Sequence, residues 1–269
     1  MVTGPLVGDV FGAVVRDAFA VARGVGVRPL AGGRLPRPVI EIVERDDGLI
    51  TGVMADGYLA EPDLWPAHDR RALDLVHGRV LDIGVGAGRA ALALQERGVP
   101  VTGLDISPGA IAVSRARGVR DLAHATVEEH AASGQLYDTF LLMGNNLGLL
   151  EGRERAPAFL AALARMASPG ARVIAQGTDP YGTTDPVQVG YHKRNRERGR
   201  FGGQLRLRLR YRDLATDWFD YLVCSVDELS ELLAGTGWEL AALDATDAPY
   251  YVATLVQTEG LVHAEGHRV

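Results

Sequence analysis

The chain has 269 residues, of which 47% are hydrophobic, and its 28 Lys and Arg against 34 Asp and Glu give a formal net charge of −6. This composition is typical of a soluble globular protein. It disfavours a general nucleic-acid binder, because such proteins usually carry net positive charge against the phosphates. The single cysteine, Cys224, excludes both an intramolecular disulfide and a cysteine metal cluster, so we predict no metal site.

The chain also shows no targeting or membrane signal. Residues 1–10 lack a basic segment followed by an apolar one, and no apolar run approaches the roughly 20 residues that span a bilayer. We therefore expect a cytoplasmic protein, monomeric or homodimeric, that binds a small molecule and neither nucleic acid nor a membrane.

Residues 1–69 are interpreted as an N-terminal helical cover that contributes to substrate binding. Its apolar residues recur at helical spacing on one face: Phe11, Val14, Val15, Ala18, Phe19 and Ala22. We expect this face to pack on the protein's own core. A membrane or protein partner is the weaker alternative, because the polar face is short and barely basic.

From residue 79 onward, predicted strands alternate with predicted helices. The strands cover 79–83, 99–106, 121–127, 137–145 and 171–177, and the helices between them cover 89–97, 108–117 and 155–167. After residue 178 the alternation stops until a helix at 226–234. Two further strands, 238–243 and 250–257, then follow with only a short link, which indicates an antiparallel pair at the sheet edge.

This order predicts an α/β fold: a doubly wound, Rossmann-like, mostly parallel seven-stranded sheet with an antiparallel last strand. The corresponding domain is 70–259, with residues 179–220 inserted after the fifth strand as a lid or substrate segment. Residues 260–269 form a polar C-terminal tail.

The most specific motif contains Asp82, Gly84, Gly86 and Gly88, between the first strand and its helix. Glycines at alternate positions let the backbone approach a ligand and expose the N–H groups of the helix terminus to it. The dinucleotide fingerprint needs its third glycine at position 89, which is Arg89. Asp82 would oppose a pyrophosphate but suits an ammonium group, which favours S-adenosylmethionine.

The D-x-G-x-G-x-G motif, with Asp105 at the end of the second strand, resembles the class I S-adenosylmethionine-dependent methyltransferases over roughly residues 70–257. The resemblance implies that the glycine loop passes under the methionine part of the cofactor. Asp82 would reach the amino end, directly or through water, and Asp105 would hold both ribose hydroxyls.

The resemblance also implies where the adenine lies, next to Ile106 and the third strand. Many family members carry an acid after that strand, whereas this chain has none at the usual place. Thr126 or the backbone of Val127 is the predicted substitute.

The fourth strand ends at Gly144, Asn145 and Asn146, and the carboxyl ends of strands face the ligand crevice in such sheets. We predict that Gly144 and Asn145 contact the cofactor, that Asn145 also orients a reacting atom, and that Asn146 contacts substrate. The alternative is that these are turn residues that tolerate unusual backbone angles. The Asn/Asp-Pro-Pro-aromatic signature of related nucleobase enzymes is absent here, which again disfavours nucleic acid.

The insertion supplies further candidates. His192 is the candidate general base, because an imidazole takes a proton near neutral pH, and Tyr191 is a candidate substrate contact. Residues 204–211 alternate strictly, so they predict a strand with leucines on one face and arginines on the other. Arg208 would bind an anionic substrate; the bland alternatives are a solvated arginine face and an exposed histidine in a polar helix, 191–198.

Tyr58 completes the set of candidate substrate residues, since family members often build an N-terminal cover over the pocket. The sequence therefore favours methyl transfer from S-adenosylmethionine to an O, N or C nucleophile of a small organic molecule. Two alternatives stay open. One is a protein of the same fold that uses S-adenosylmethionine for cyclisation, rearrangement or structure, and the weaker one is an NAD(P)-dependent oxidoreductase.

Overall fold

The computed structural model describes residues 6–24 and 38–258, so the predicted tail at 260–269 lies outside the described residues. The helices, in chain order, are α1 (Val10–Ala22), α2 (Ala67–Asp74), α3 (Arg89–Glu96), α4 (Pro108–Arg117), α5 (Val127–His130), α6 (Ala156–Arg165), α7 (Pro186–Glu197) and α8 (Val226–Leu233). The strands are β1 (Leu6–Val7), β2 (Ile40–Arg45), β3 (Ile50–Met54), β4 (Val80–Ile83), β5 (Val101–Asp105), β6 (Asp121–His124), β7 (Tyr137–Leu142), β8 (Ala167–Thr178), β9 (Gln204–Tyr211), β10 (Leu214–Ala215), β11 (Phe219–Leu222), β12 (Trp238–Asp244) and β13 (Tyr250–Gln257).

The main sheet has seven strands in the order β12-β13-β8-β7-β4-β5-β6. Strands β4 to β8 pair in parallel, whereas β13 runs antiparallel to both β8 and β12. The predicted fold is thereby confirmed, including the antiparallel last strand. The link between β12 and β13 is too short for the crossover that parallel strands need.

Both faces of this sheet are buried, which explains why its strands read as continuous apolar runs. Val80 packs into one apolar cluster with Leu141 and Ile174, while its neighbour Leu81 packs into another with Phe140 and Trp238. Each fully buried side chain of this size contributes roughly 1.5–3 kcal/mol of hydrophobic free energy. The sheet is thus a well-packed platform for the loops at its carboxyl edge.

The third strand is shorter than predicted, because a helix begins at its end. Thr126 caps α5: its hydroxyl accepts from the Glu129 N–H at 3.2 Å, and the Glu129 carboxylate accepts from the Thr126 N–H at 2.8 Å. This reciprocal capping box is encoded locally by Thr-x-x-Glu, so the sequence did carry the signal.

A second sheet of six strands covers the carboxyl edge of the first, in the order β1-β10-β9-β2-β3 with β11 paired to β9. The N-terminal hairpin β2–β3 pairs antiparallel with β9 of the insertion. The cover is therefore not only helical, because residues 40–54 form strands, and it makes one layer with the insertion. Sequence periodicity could not show this, since Glu44 and Arg208 of the paired strands lie 164 residues apart.

The predicted N-terminal helix is present as α1, and its apolar face packs on the protein itself. Val14 contacts the cluster that includes Leu209 of β9, and Val15 packs with Ala110 and Val113 of α4. Within residues 6–24 and 38–258, no helix has both the length and the apolar character to cross a bilayer.

Candidate active site

The glycine loop between β4 and α3 has a backbone that only glycine adopts easily. Gly84 and Gly88 have φ angles of 72° and 82°, in the left-handed region. A Cβ atom at Gly84 would lie 2.4 Å from the Asn146 Nδ2, and one at Gly88 would lie 2.7 Å from a Val119 methyl group. The loop is therefore held close to its neighbours and leaves its outer side for a ligand.

Asp82, just before this loop, is 3% exposed, and its Oδ2 has no hydrogen-bond partner. Burial raises its pKa to about 7; the positive charge of Arg89 opposes that shift, and the charge of Asp105 adds to it. A buried carboxylate oxygen without a partner costs free energy, and a bound ammonium group would supply the missing partner. The site thus fits the amino end of S-adenosylmethionine.

Asp105, at the end of β5, is also buried. Its Oδ1 accepts from the Ser107 N–H at 2.8 Å and its Oδ2 accepts from the Gly86 N–H at 2.9 Å. Each carboxylate oxygen can accept two hydrogen bonds, so both retain capacity for a diol. Burial raises the pKa of Asp105, while these two backbone donors lower it.

The residues predicted to surround the adenine lie beside Asp105. Ile106 is 70% exposed, an unusual state for a large apolar side chain and one that suits a planar ring. Thr126 uses its hydroxyl as an acceptor within the capping box, and Val127 is buried. The roles of all three residues in binding adenine stay predictions.

The turn after β7 is fixed by β8 and β11. Gly144 and Asn145 have φ angles of 67° and 68°, and their N–H groups donate to the Gln176 Oε1 at 2.9 and 3.3 Å. The Asn145 Oδ1 accepts from the Thr178 hydroxyl at 2.9 Å, and its carbonyl accepts from the Tyr221 hydroxyl at 2.6 Å. Asn145 is therefore rigidly placed between the glycine loop and β8.

Asn146 has a task in the fold besides the predicted one. Its Nδ2 donates to the carbonyls of Ile83 and Gly84 at 2.9 and 3.2 Å, and so ties the β7 turn to the glycine loop. The amide nitrogen is committed to the loop, and the contact of Asn146 with substrate stays a prediction.

Sequence reasoning missed a network behind Gln176. The Gln176 Oε1 accepts from two backbone N–H groups, which leaves the Gln176 Nε2 to donate to the His68 Nε2 at 2.9 Å. The His68 Nδ1 then donates to Asp247 at 3.3 Å. Arg71 holds Asp247 in turn at 3.0 Å. The partners of His68 are far away in the sequence, Gln176 being 108 residues distant, so no local signal indicates its link to the β7 turn.

A cavity of about 760 Å³ lies between the second sheet and the carboxyl end of β8. The surface of its walls is mainly apolar, with polar side chains among the apolar ones. The lining residues are Val43, Arg45, Leu49, Thr51, Thr178, Asp179, Pro180, Gly182, Thr183, Gln188, His192, Leu205, Leu207, Val223, Ala248 and Pro249. Because Thr178 bonds Asn145, the cavity adjoins the turn where the cofactor site ends. This is the arrangement expected of a small-molecule site.

His192 lines this cavity and is 5% exposed, so it is not the exposed histidine that the alternative interpretation required. Its ring meets Tyr181 edge to face, with centroids 5.7 Å apart. Burial lowers the pKa of His192, and the charges of Arg196 and Arg45 lower it further. The imidazole is therefore neutral at pH 7 and able to accept a proton.

Two other candidates of the insertion lie away from the cavity walls. The Tyr191 hydroxyl donates to Asp46 at 2.8 Å, and its ring lies under the Arg45 guanidinium at 3.9 Å. Arg208 makes two hydrogen bonds to Glu44, at 2.8 and 3.0 Å.

The alternation of β9 is as predicted, but its arginine face has an internal partner. Leu205 and Leu207 line the cavity, so Arg208 lies on the opposite face, where β2 supplies Glu44. The predicted contact of Arg208 with an anionic substrate is not supported, because the guanidinium is paired and points away from the cavity. The hairpin that provides Glu44 could not be placed from sequence.

Tyr58 is half-buried in the cover, where its hydroxyl donates to the Glu41 Oε2 at 2.8 Å and its ring meets Phe11 edge to face at 5.1 Å. Glu41 is 2% exposed and its Oε1 has no partner. Burial raises the pKa of Glu41, whereas the hydrogen bond from Tyr58 lowers it. No local pattern singles out Glu41, because an acid in an alternating strand normally faces solvent.

The comparisons agree with this geometry. Residues 80–170 match a family model described as a methyltransferase domain. A SAM-dependent methyltransferase from Bacteroides fragilis, solved in complex with S-adenosyl-L-homocysteine, superposes with a TM-score of 0.75, 24% identity and coverage of 93% of this chain and 94% of that one. The CcbJ methyltransferase from Streptomyces caelestis has a TM-score of 0.53 and 18% identity over 72% of this chain and 94% of its own.

Curated relatives match over a shorter stretch. The ubiquinone biosynthesis O-methyltransferase of Klebsiella pneumoniae is 33% identical over 124 residues, which are 44% of this chain and 46% of that protein. The protein of the same name from Azorhizobium caulinodans is 38% identical over 82 residues, 28% of this chain and 32% of its own. The chain thus aligns with less than half the length of these relatives.

Fold, glycine loop and acids together define a Rossmann-like domain built for S-adenosylmethionine. Residues 80–170 carry a methyltransferase domain, the chain has the fold of solved S-adenosylmethionine-dependent methyltransferases, and its buried acids fit S-adenosylmethionine as cofactor. The nicotinamide alternative is set aside.

Proposed function

We propose that the protein transfers a methyl group from S-adenosylmethionine to a nucleophile of a small organic molecule bound in the 760 Å³ cavity. The observation that carries this proposal is the position of the cavity, which adjoins Asn145 through Thr178 at the end of a cleft whose acids fit the cofactor. A binding protein or a purely structural ligand would not need a second pocket at this point.

Four residues have separate roles in the proposed methyl transfer. When bound, S-adenosylmethionine supplies a methyl group activated by its positive sulfur. Asp82 holds the amino end, Asp105 holds the ribose, and Asn145 shapes the wall between cofactor and acceptor. His192 takes a proton from the acceptor when that nucleophile is protonated.

The cavity favours an acceptor that is largely apolar, and Asp179 places one carboxylate on its wall. Arg45 is the one arginine on its wall, and two hydrogen bonds at 2.8 and 2.9 Å pair it with Asp47. The relatives are named as O-methyltransferases of ubiquinone biosynthesis. We therefore favour a hydroxyl oxygen as the acceptor atom, with a precursor of ubiquinone among the candidate substrates.

The first experiment is calorimetry with S-adenosylmethionine on the wild-type protein and on Asp105→Ala. The variant should lose at least about a hundredfold in affinity, because the ribose diol loses its acceptor and the Gly86 N–H loses its partner. Asp63→Ala, which removes an exposed acid, should bind as the wild type does. Equal affinities of all three proteins would refute the role of Asp105.

The second experiment follows turnover on phenols and catechols with apolar side chains of increasing length. Methyl transfer requires that S-adenosylhomocysteine accumulates in step with the methylated product. Leu207→Trp, which fills the cavity, should raise the KM for the acceptor and leave cofactor affinity unchanged. A product that forms without S-adenosylhomocysteine would instead establish the non-methylating alternative.

A further inference from the structure

The inward face of β2 carries an acid next to the cavity. Residues at every second position of a strand share a face, so Glu41, Val43 and Arg45 point to the same side. Val43 and Arg45 line the cavity, and the burial of Glu41 agrees with this orientation. Glu41 therefore continues the cavity wall beyond Val43.

Glu41 differs from the other charged residues of β2 because its charge is not compensated. Arg45 is paired with Asp47, and Glu44 on the outer face is paired with Arg208 and Arg210. Among the described residues, Glu41 has one polar contact, the Tyr58 hydroxyl, and its Oε1 has none. A buried carboxylate oxygen without a partner costs free energy that a donor or cation of a ligand would recover.

The neighbours of Glu41 show which ligand can do so. On the cover side, a Cβ atom at Gly86 would lie 3.4 Å from the Phe11 ring, and Phe11 contacts Tyr58, which bonds Glu41. This chain of contacts starts over the glycine loop and ends at Val43, on the cavity wall.

The opposite wall runs the same way. Asp105 bonds Gly86, Asn146 bonds Gly84, and Asn145 bonds Thr178, which lines the cavity. Both series of contacts thus run from the glycine loop to residues of the cavity wall, and Glu41 stands on the first series, between Tyr58 and Val43. The part of the cofactor between its ribose and the acceptor is the sulfonium with its methyl.

We propose that Glu41 recognises the positive sulfonium and thereby makes the protein bind S-adenosylmethionine in preference to the neutral S-adenosylhomocysteine. The inference rests on the proposed function. Its physical basis is that both ligands share the adenosine and amino acid ends, so only the charge at the sulfur distinguishes them at this point. The same preference would help the neutral product to leave after transfer.

The test is calorimetry with both ligands on the wild-type protein, Glu41→Gln and Glu44→Gln. Glu41→Gln keeps the shape of the side chain and removes the charge, so S-adenosylmethionine should bind about tenfold more weakly and S-adenosylhomocysteine about as before. Glu44→Gln removes a charge from the outer face of the same strand and should leave the ratio of the two affinities unchanged. An unchanged ratio in Glu41→Gln would overturn the proposal.

A second variant, Tyr58→Phe, keeps the Glu41 carboxyl group and frees its other oxygen, and it serves if Glu41→Gln does not fold. It is measured at pH 8, because losing the phenol hydrogen bond raises the pKa of Glu41. Its preference for S-adenosylmethionine should equal or exceed that of the wild type. A tenfold smaller preference would assign the effect to the phenol and overturn the role of the acid. If the wild-type protein binds neither ligand, it is the proposed function that fails instead.

Discussion

The role of Asp82 can be predicted from its place in the motif, but the environment of its carboxyl group cannot. Its position before the glycines predicts contact with an ammonium group. Only the structure shows that the carboxyl group is buried, lacks a partner for Oδ2 and has a pKa raised to about 7. A group that titrates near neutral pH makes cofactor binding depend on pH.

We expect affinity for S-adenosylmethionine to rise with pH up to about 7 and to level off above it. The free protein holds a proton on Asp82 below this pH, and the bound ammonium group favours the ionised carboxylate, so binding releases that proton. The slope should approach tenfold per pH unit below pH 6. Calorimetry in buffers of different ionisation enthalpy measures both the affinity and the released proton.

Asp82→Asn provides the control. It should bind the cofactor weakly with no such slope. A raised folded pKa means that ionising Asp82 destabilises the free protein as pH rises toward 7, so the variant should melt higher than the wild type at pH 8. A pH-independent affinity of the wild-type protein between pH 5 and 8 would contradict the assignment.

At the scale of elements, the contact between α1 and α4 is built around Asp9. Its Oδ1 caps α1 by accepting from the Gly12 N–H at 2.8 Å and also accepts from the Ser107 hydroxyl at 2.7 Å. Its Oδ2 accepts from the Gly109 N–H at 2.9 Å, in the first turn of α4. One carboxylate therefore joins the cover to the helix that follows Asp105.

We expect Asp9→Ala to lower the free energy of unfolding by about 2 kcal/mol, since it removes a helix cap and two further hydrogen bonds. It should also weaken cofactor binding several-fold by loosening α1 over the glycine loop. Urea unfolding and calorimetry measure the two effects, with Asp63→Ala as the exposed control. A stable variant with unchanged affinity would show that α1 is held by its apolar face alone.

The strands and helices of the main sheet could be predicted because each follows a local period and ends at a local stop. The same reasoning failed for β2 and β3, which carry acids and glycine among their apolar residues and become strands only by pairing with β9. The pairing of Glu44 with Arg208 is likewise not readable from the sequence, because it depends on the placement of both strands.

At the scale of the molecule, the cover and the insertion form one layer, so neither should be separable from the other. Deleting residues 1–54 would strip β2 from β9 and expose the leucine face of β9 together with an unpaired strand edge. We expect the shortened chain to aggregate and to lose cofactor binding, as measured by size-exclusion chromatography and calorimetry. A monodisperse fragment that binds S-adenosylmethionine normally would show that the main sheet is independent of its cover.

The β-α order, the cofactor class and the roles expected of Asp82 and Asp105 are encoded in short stretches of sequence. They follow from periodicity and from a seven-residue motif, both of which act over neighbouring residues. The cavity, the burial of His192, the commitment of Asn146 to the glycine loop and the uncompensated Glu41 were decided by tertiary structure. Each depends on strands or turns that lie far apart in the chain, and contacts of that kind leave no local pattern to read.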